Sequence, residues 1–459
     1  MPLPQYEKYD VSQFASVKLD PDYPVFGDNE HDDGPSINAI LSKSAGCKIV
    51  FFPQGIYRTN ETIYVPPGSR IVGEVFSVIS GVGPQFANAD APSPIVQVGH
   101  PGEKGVAQFT DMLFTTADVL PGAVIVEVNM AGNNPGDVGF WDCVIRVGGS
   151  VDSLVGHKCS APDPSDCMAA FALLHVTKTA SVYFEDIWGW VAGMYTARSL
   201  LSLGYHCSLD RTDHNLDPDL PAQNIAVGRG VLIESKGPTW LMGSAFEHAT
   251  IYQYALSGAQ NIYMGMHQTE SPYWQGAGTP QRAPAPWTAN AAYGDPTFSN
   301  CAAQGQGDND QCFRAWGLHM NDSSDVIIHG SGLWVFFNKM NDNEWQDAQC
   351  NDTNNICQLN MAFVSGAQST YWYSLSAKST TNLVYDTTNG TGVAATQQKY
   401  PGSWGSVIAA YLSQSSDPSS DSTSSSSSSS SKNGAGAVEP GSLLRIGLPL
   451  LLCALASVY

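Results

Sequence analysis

An all-β fold is predicted for this 459-residue chain, on three observations. From Lys48 to about Ser365 the apolar residues come in short β-branched stretches, among them Ile49-Val50-Phe51-Phe52, Ile63-Tyr64-Val65, Ala123-Val124-Ile125-Val126 and Val326-Ile327-Ile328, with few helix-length amphipathic segments. Gly, Asn, Asp and Pro separate them, as turns require. The stretches recur irregularly at intervals of roughly two dozen residues, the repeat range of solenoid coils, and no Asn-Gly hairpin signal joins them. A β-sandwich and a parallel β-helix both fit strands of this length; the recurrence favours the β-helix.

Composition limits the partners. Only 14% of residues are charged, against about 25% in an ordinary soluble domain. The 42 acids and 21 bases leave a formal charge of −21, which argues against nucleic acid. An anionic polysaccharide would be repelled unless a metal bridged it, whereas a neutral polysaccharide would not feel the field.

Along the chain, the first residues (Met1-Pro-Leu-Pro-Gln-Tyr-Glu-Lys) lack the apolar stretch of a signal peptide. Next, Gly27 to Leu41 reads as an acidic turn entering a helix. Pro35 suits a first helical position, and Asp32 and Asp33 favour a helix N-terminus; the competing role for these two is calcium ligation. Such a helix would cap the open end of a solenoid.

Ten cysteines are present. Cys159 with Cys167, Cys301 with Cys312, and Cys350 with Cys357 are close neighbours in loop-like sequence, as expected of local disulfides in an oxidising compartment. No metal and no cofactor are expected, since CxxC and HxxxH spacings are missing. Sequons at Asn60, Asn321, Asn351 and Asn389 agree with secretion. Setting aside Cys453 in the apolar tail leaves an odd count, and Cys207 is the odd one. It lies in Gly193–Thr212 (GMYTARSLLSLGYHCSLDRT), which reads as a retained-intron insertion between Trp190-Val191-Ala192 and Asp213-His214-Asn215. A surface loop is the alternative.

Residues 413–442 are Ser-rich, with eight serines from Ser424 to Ser431, and read as a disordered, O-glycosylated stalk. Small residues Asn433, Gly434 and Ala435 follow, and then the apolar run Leu443–Tyr459. That order is the arrangement of a GPI-attachment signal, with Asn433 as attachment residue. The expected location is extracellular or at the cell surface, with membrane contact only through that anchor. A tail anchor and a chance apolar end are the competing readings.

Specific motifs now enter. GDNEHDDGPSINAIL followed by IVFFPQGIYRTNETIYVPPGSRIVGE resembles the opening of pectate-lyase-like β-helix domains. FEDIWGWVA, DHNLD and GRGVLIESKGPTWLMGSAFEHATIYQYALSGAQNIYMGMHQTESPYWQ resemble the second β-helix of glycoside hydrolase family 55, the exo-β-1,3-glucanases. The similarity runs from about Tyr6 to Thr370. It implies a right-handed parallel β-helix of pectin-lyase-like type over 21–412, with 1–20 as an extension from a first β-helix and leader that this chain lacks.

The carboxylates can be read before the family is used. Glu247 and Glu270 are 23 residues apart, about one coil, so they can sit on one face of adjacent rungs about 4.8 Å apart. Two carboxylates that close do not both ionise easily, which keeps one protonated. The bland alternative is a pair of structurally hydrogen-bonded glutamates. The resemblance implies more: Glu270 matches the general acid of an inverting reaction on neutral β-1,3-glucan, and Glu247 matches an acidic position beside it. Trp190 and Asp213 match a sugar-contacting W-x-x-D element if 193–212 is removed, and Tyr273 matches an aromatic wall. Trp240 is assigned to the core, which is also the competing role for Trp190. In the family the attacking water is positioned by the first helix, so a non-catalytic glucan-binding protein is the second reading and a pectin-type lyase the third.

Overall fold

Strands from successive coils lie side by side in parallel register and build a solenoid. The structure, a computed structural model, describes residues 1, 3–150, 153–159, 163–193, 224–275, 282–336, 339–341, 344–346, 350, 356–388, 390–398 and 405–413. Among them, strands form a 15-stranded sheet, a 10-stranded sheet and one small pair. All pairings in the two large sheets are parallel except at the C-terminal end, where Gln368–Ala377 pairs antiparallel with Ser406–Ser413, and Thr380–Asp386 with Thr391–Ala394. This is the parallel β-helix favoured by the recurrence, and the sandwich is excluded.

The first sheet owes its shape to a stacked column of left-handed residues. Asp111, Asp142, Asp186, Gly243, Met266, Gly330 and Ser374 all have φ between 52° and 76°, a conformation that bends a strand and adds one residue to its alternation. The consequence is plain in Thr239–Glu247. Thr239 and Leu241 point inward before Gly243, Ser244 and Phe246 do so after it, and Trp240, Met242, Ala245 and Glu247 are left facing out. The same offset recurs in Gln260–Glu270, Ser324–Trp334 and Gln368–Ala377. Each long strand therefore presents two outward faces, one before the bend and one after it. Trp240, expected in the core, is instead half-buried on the first of these faces, and Leu241 takes the core position.

The helix Gly34–Ser44 buries Ile37, Ile40 and Leu41 against the first strands of both sheets, at the N-terminal end of the coil. Pro35 lies in its first turn. Of the two aspartates, Asp32 accepts from the Gly34 N–H at 3.2 Å, while Asp33 accepts from Phe26 and Gly27 N–H at 2.7 and 2.8 Å and ties down the preceding loop. The coil begins inside the expected extension 1–20: Phe14–Ser16 pairs in parallel with Ile49–Phe51, and Val17 is fully buried.

The three local disulfides form: Cys159–Cys167, Cys301–Cys312 and Cys350–Cys357. Cys47 and Cys143 are free thiols, exposed and buried respectively. An even count after removing Cys207 therefore does not translate into four bridges, which weakens the cysteine argument for an insertion. Asn60 is exposed and Asn321 half-buried. Cys207, Asn351, Asn389, Asn433, the Ser-rich stretch from 414 and the apolar tail lie outside the described residues, as does 194–212.

The outer face of the second sheet carries a buried Glu-His-Glu cluster. His175 Nε2 lies 2.9 Å from Glu234 Oε2, and its Nδ1 lies 3.5 Å from Glu127 Oε2. Burial alone would depress the imidazole, but the hydrogen bonds and charges of Glu127 and Glu234 outweigh it and raise His175 above its ordinary value. Burial likewise opposes ionisation of Glu127 and Glu234, yet their bonds to His175 hold both below the usual carboxylate range. The raised His contributes stability fully below about pH 6.5, and that contribution is lost as pH rises through its folded value; the glutamates contribute above their ordinary range and lose it in acid. His175→Gln should accordingly lower the melting temperature more at about pH 5.5 than at about pH 9. Equal losses at the two pH values would rule the cluster out as a charged one.

Candidate functional site

The outward face beyond the bend gathers the residues of interest into one row. Arg146 lies beside Trp190, Trp190 beside Glu247, and Glu270 beside Trp334, on successive parallel strands. The register of Thr239–Glu247 against Gln260–Glu270 runs to Ala245 opposite Gln268, and the His248 N–H donates to the Glu270 carbonyl at 3.1 Å. Glu247 and Glu270 thus occupy neighbouring rungs on the same face, at the strand spacing of about 4.8 Å.

Their surroundings differ. Glu247 is 3% exposed; the Trp188 indole N–H donates to its Oε2 at 3.0 Å, and the Gln268 amide donates to its Oε1. An indole can only donate, so Glu247 Oε2 accepts there, and Oε1 accepts from the Gln268 amide. Glu270 is more open, with 17% of its side chain exposed, and faces His248 Nε2 at 3.8 Å. His248 sits just past the strand in a left-handed conformation, φ 65°. Its Nδ1 lies 2.8 Å from the Ser271 carbonyl, so Nδ1 carries a proton there and Nε2 is the atom turned to Glu270.

Tyr273 and Trp190 have a different character from the one expected of open sugar platforms. Tyr273 is 3% exposed and stacks on the His248 ring at 4.0 Å. The Gly193 backbone lies so close to it that a Cβ there would sit 2.4 Å from the ring. Trp190 is 2% exposed, stacked on Trp188 at 5.2 Å and pressed by Gly149. Both brace the groups around them, whereas Trp188 and Trp334 are only half-buried beside the glutamates. Trp188 was within reach of the sequence: in Trp188-Gly189-Trp190 strand alternation puts both rings on one face. His248, Gln268 and Trp334 carried no such signal. Asp213 lies outside the described residues. Among the described residues no group of three or more His, Cys, Asp or Glu side chains is placed to hold a metal ion.

No family model matches the chain. It is 38% identical over 399 residues, 85% of its length, to a probable glucan endo-1,3-beta-glucosidase of Arthroderma benhamiae, covering 40% of that protein. It is 36% identical over 341 residues, 73% of its length, to a glucan 1,3-beta-glucosidase of Cochliobolus carbonum, covering 38% of it. Among solved structures, sacteLam55A from Streptomyces sp. SirexAA-E is similar with a TM-score of 0.49 at 15% identity, over 87% of this chain and 55% of that one. The chain spans about two-fifths of the length of these two curated relatives. The resemblance to the family 55 glucanases, over part of their length, therefore rests on extended sequence identity as well as on motifs.

Proposed function

We propose that this chain is the acid-bearing part of a hydrolase of neutral β-1,3-glucan. The observation that carries the proposal is the contrast between two glutamates one rung apart: one 3% exposed and held by two N–H donors, the other with 17% of its side chain exposed and a histidine facing it. With Glu247 ionised, its charge disfavours a second negative charge on Glu270, which stays a proton donor toward a leaving glycosidic oxygen. An inverting reaction needs its acid and base about 6.5–9.5 Å apart, with a water between. Glu247, on the adjacent strand and already committed to Trp188 and Gln268, is not that base. Its role is electrostatic, together with a grip on the sugar through the half-buried Trp188 and Trp334.

The names of the relatives support a β-1,3-glucan substrate, and they include both an endo-acting and a plain glucosidase designation. We take the exo reading, release of glucose from chain ends with inversion. Laminarin hydrolysis followed by proton NMR tests it: the first-formed product is α-glucose. First-formed β-glucose would reject inversion, and oligosaccharides without glucose would reject exo action. A second reading is favoured by one observation, the commitment of Glu247 to Trp188 and Gln268, which leaves it unfit as the base. On that reading the chain binds glucan without cleaving it, and laminarin binding with no turnover would select it.

A further inference from the structure

The face before the bend carries a second feature that the glutamates do not use. At one register position on successive strands stand Tyr183, Trp240, Tyr263, Ile327, Tyr371 and Leu412, each directly beside the next. The neighbouring outward position adds the stacked pair His329 and Tyr373, with ring centroids 5.0 Å apart. Exposure is substantial toward the C-terminal end: Ile327 39%, Tyr371 42% and Leu412 52%. A row of this kind would be unexpected on a plain solvent-facing β-surface, where large rings are usually kept few.

We propose that this row is a docking track for a linear, uncharged polysaccharide chain, separate from the acid site. Three features fit that occupant. From Trp240 to Leu412 the row contains no Asp, Glu, Lys or Arg, although the chain as a whole carries −21; a partner matched to it has no charge to satisfy. The rings are mostly Tyr and Trp, which offer an apolar face for stacking and a polar edge for hydroxyl groups. They repeat at the strand spacing of about 4.8 Å along the coil axis, so the surface is linear, as a polymer would need. Polar contacts are made along the same line elsewhere in the coil. The protein's own N-terminal residues lie on the same register line at its other end, Tyr6 Oη donating to Gln108 at 3.3 Å and the Met1 amino group donating to Tyr183.

The track stands on the aromatic row alone and does not depend on Glu270 being an acid. The test is co-sedimentation of the full chain with insoluble β-1,3-glucan. Tyr263→Ala with Tyr371→Ala should weaken retention about tenfold, at a few-fold per lost ring. Tyr263→Phe with Tyr371→Phe should retain most binding, and Ile327→Glu, which puts a charge that must shed water where the chain would lie, should weaken it. Added salt should leave retention unchanged. Retention unaffected by the alanine pair and by Ile327→Glu would overturn the proposal. It would also be overturned if those variants instead dissolve a dimer seen by light scattering, since the row would then be a protein interface.

Discussion

Glu270→Gln should stop glucose release from laminarin, if Glu270 is the proposed acid, while leaving laminarin binding in place. The amide keeps the shape of the carboxyl and its neighbours, but it has no acidic proton to give, and loss of a general acid costs about 10²–10⁴-fold in rate. The diagnostic comparison uses a second substrate. An aryl β-glucoside whose leaving group departs readily as an anion needs no protonation, so Glu270→Gln should be far less damaged on it than on laminarin. Equal losses on the two substrates would mean that Glu270 positions the sugar and does not protonate it. His248 sharpens the expectation. Its Nε2 faces Glu270 Oε2 at 3.8 Å and its own ring is fixed by Ser271 and Tyr273, so this neighbour should keep its place when the carboxyl becomes an amide.

What the sequence revealed of this site follows from its geometry. A separation of 23 residues equals one coil here, and a coil returns the chain to the same register, so the relation between Glu247 and Glu270 was legible as spacing. What was not legible is anything set by the bend. One left-handed residue in each strand shifts the inward-outward alternation, and only the backbone shows that Gly243, Met266, Gly330 and Ser374 are those residues. This is why Trp240, with apolar neighbours, passed for a core residue while it belongs to the outer row. Trp190 differs in the opposite sense. It does lie on the outward face, but Trp188 and Gly149 cover it, and the Gly149 contact comes from a segment distant in sequence. The local disulfides, closed within short loops, needed no such information.

The largest stability effect is expected on the other sheet, at a pair no spacing argument could have found. Arg229 and Asp295 have side chains with no exposed surface, and they are joined by two hydrogen bonds, Nε to Oδ1 at 2.8 Å and Nη2 to Oδ2. The third guanidinium nitrogen, Nη1, donates to the Phe171 carbonyl at 3.1 Å, and the centre of the Phe171 ring lies 3.7 Å from the guanidinium carbon. Asp295 also accepts from the Asn290 N–H at 2.8 Å. The pair therefore pins the segment 282–312 over the second sheet, above an outer cluster that includes Phe171, Tyr252, Trp287, Phe298 and Trp316. Asp295→Ala leaves a cation buried without its partner, and breaking such a pair costs about 3–5 kcal/mol. Urea unfolding should show that loss. Replacing both partners, Arg229→Met with Asp295→Leu, should recover most of it, because a buried pair exchanged for apolar side chains of similar size is often neutral or better. A cost below about 1 kcal/mol for Asp295→Ala would mean that water reaches the guanidinium when the carboxylate is gone. The segment covers a different sheet from the one bearing Glu247 and Glu270. Below its melting temperature the Asp295→Ala protein should therefore bind laminarin as the unaltered chain does, which separates the loss of a fastening from damage to the site.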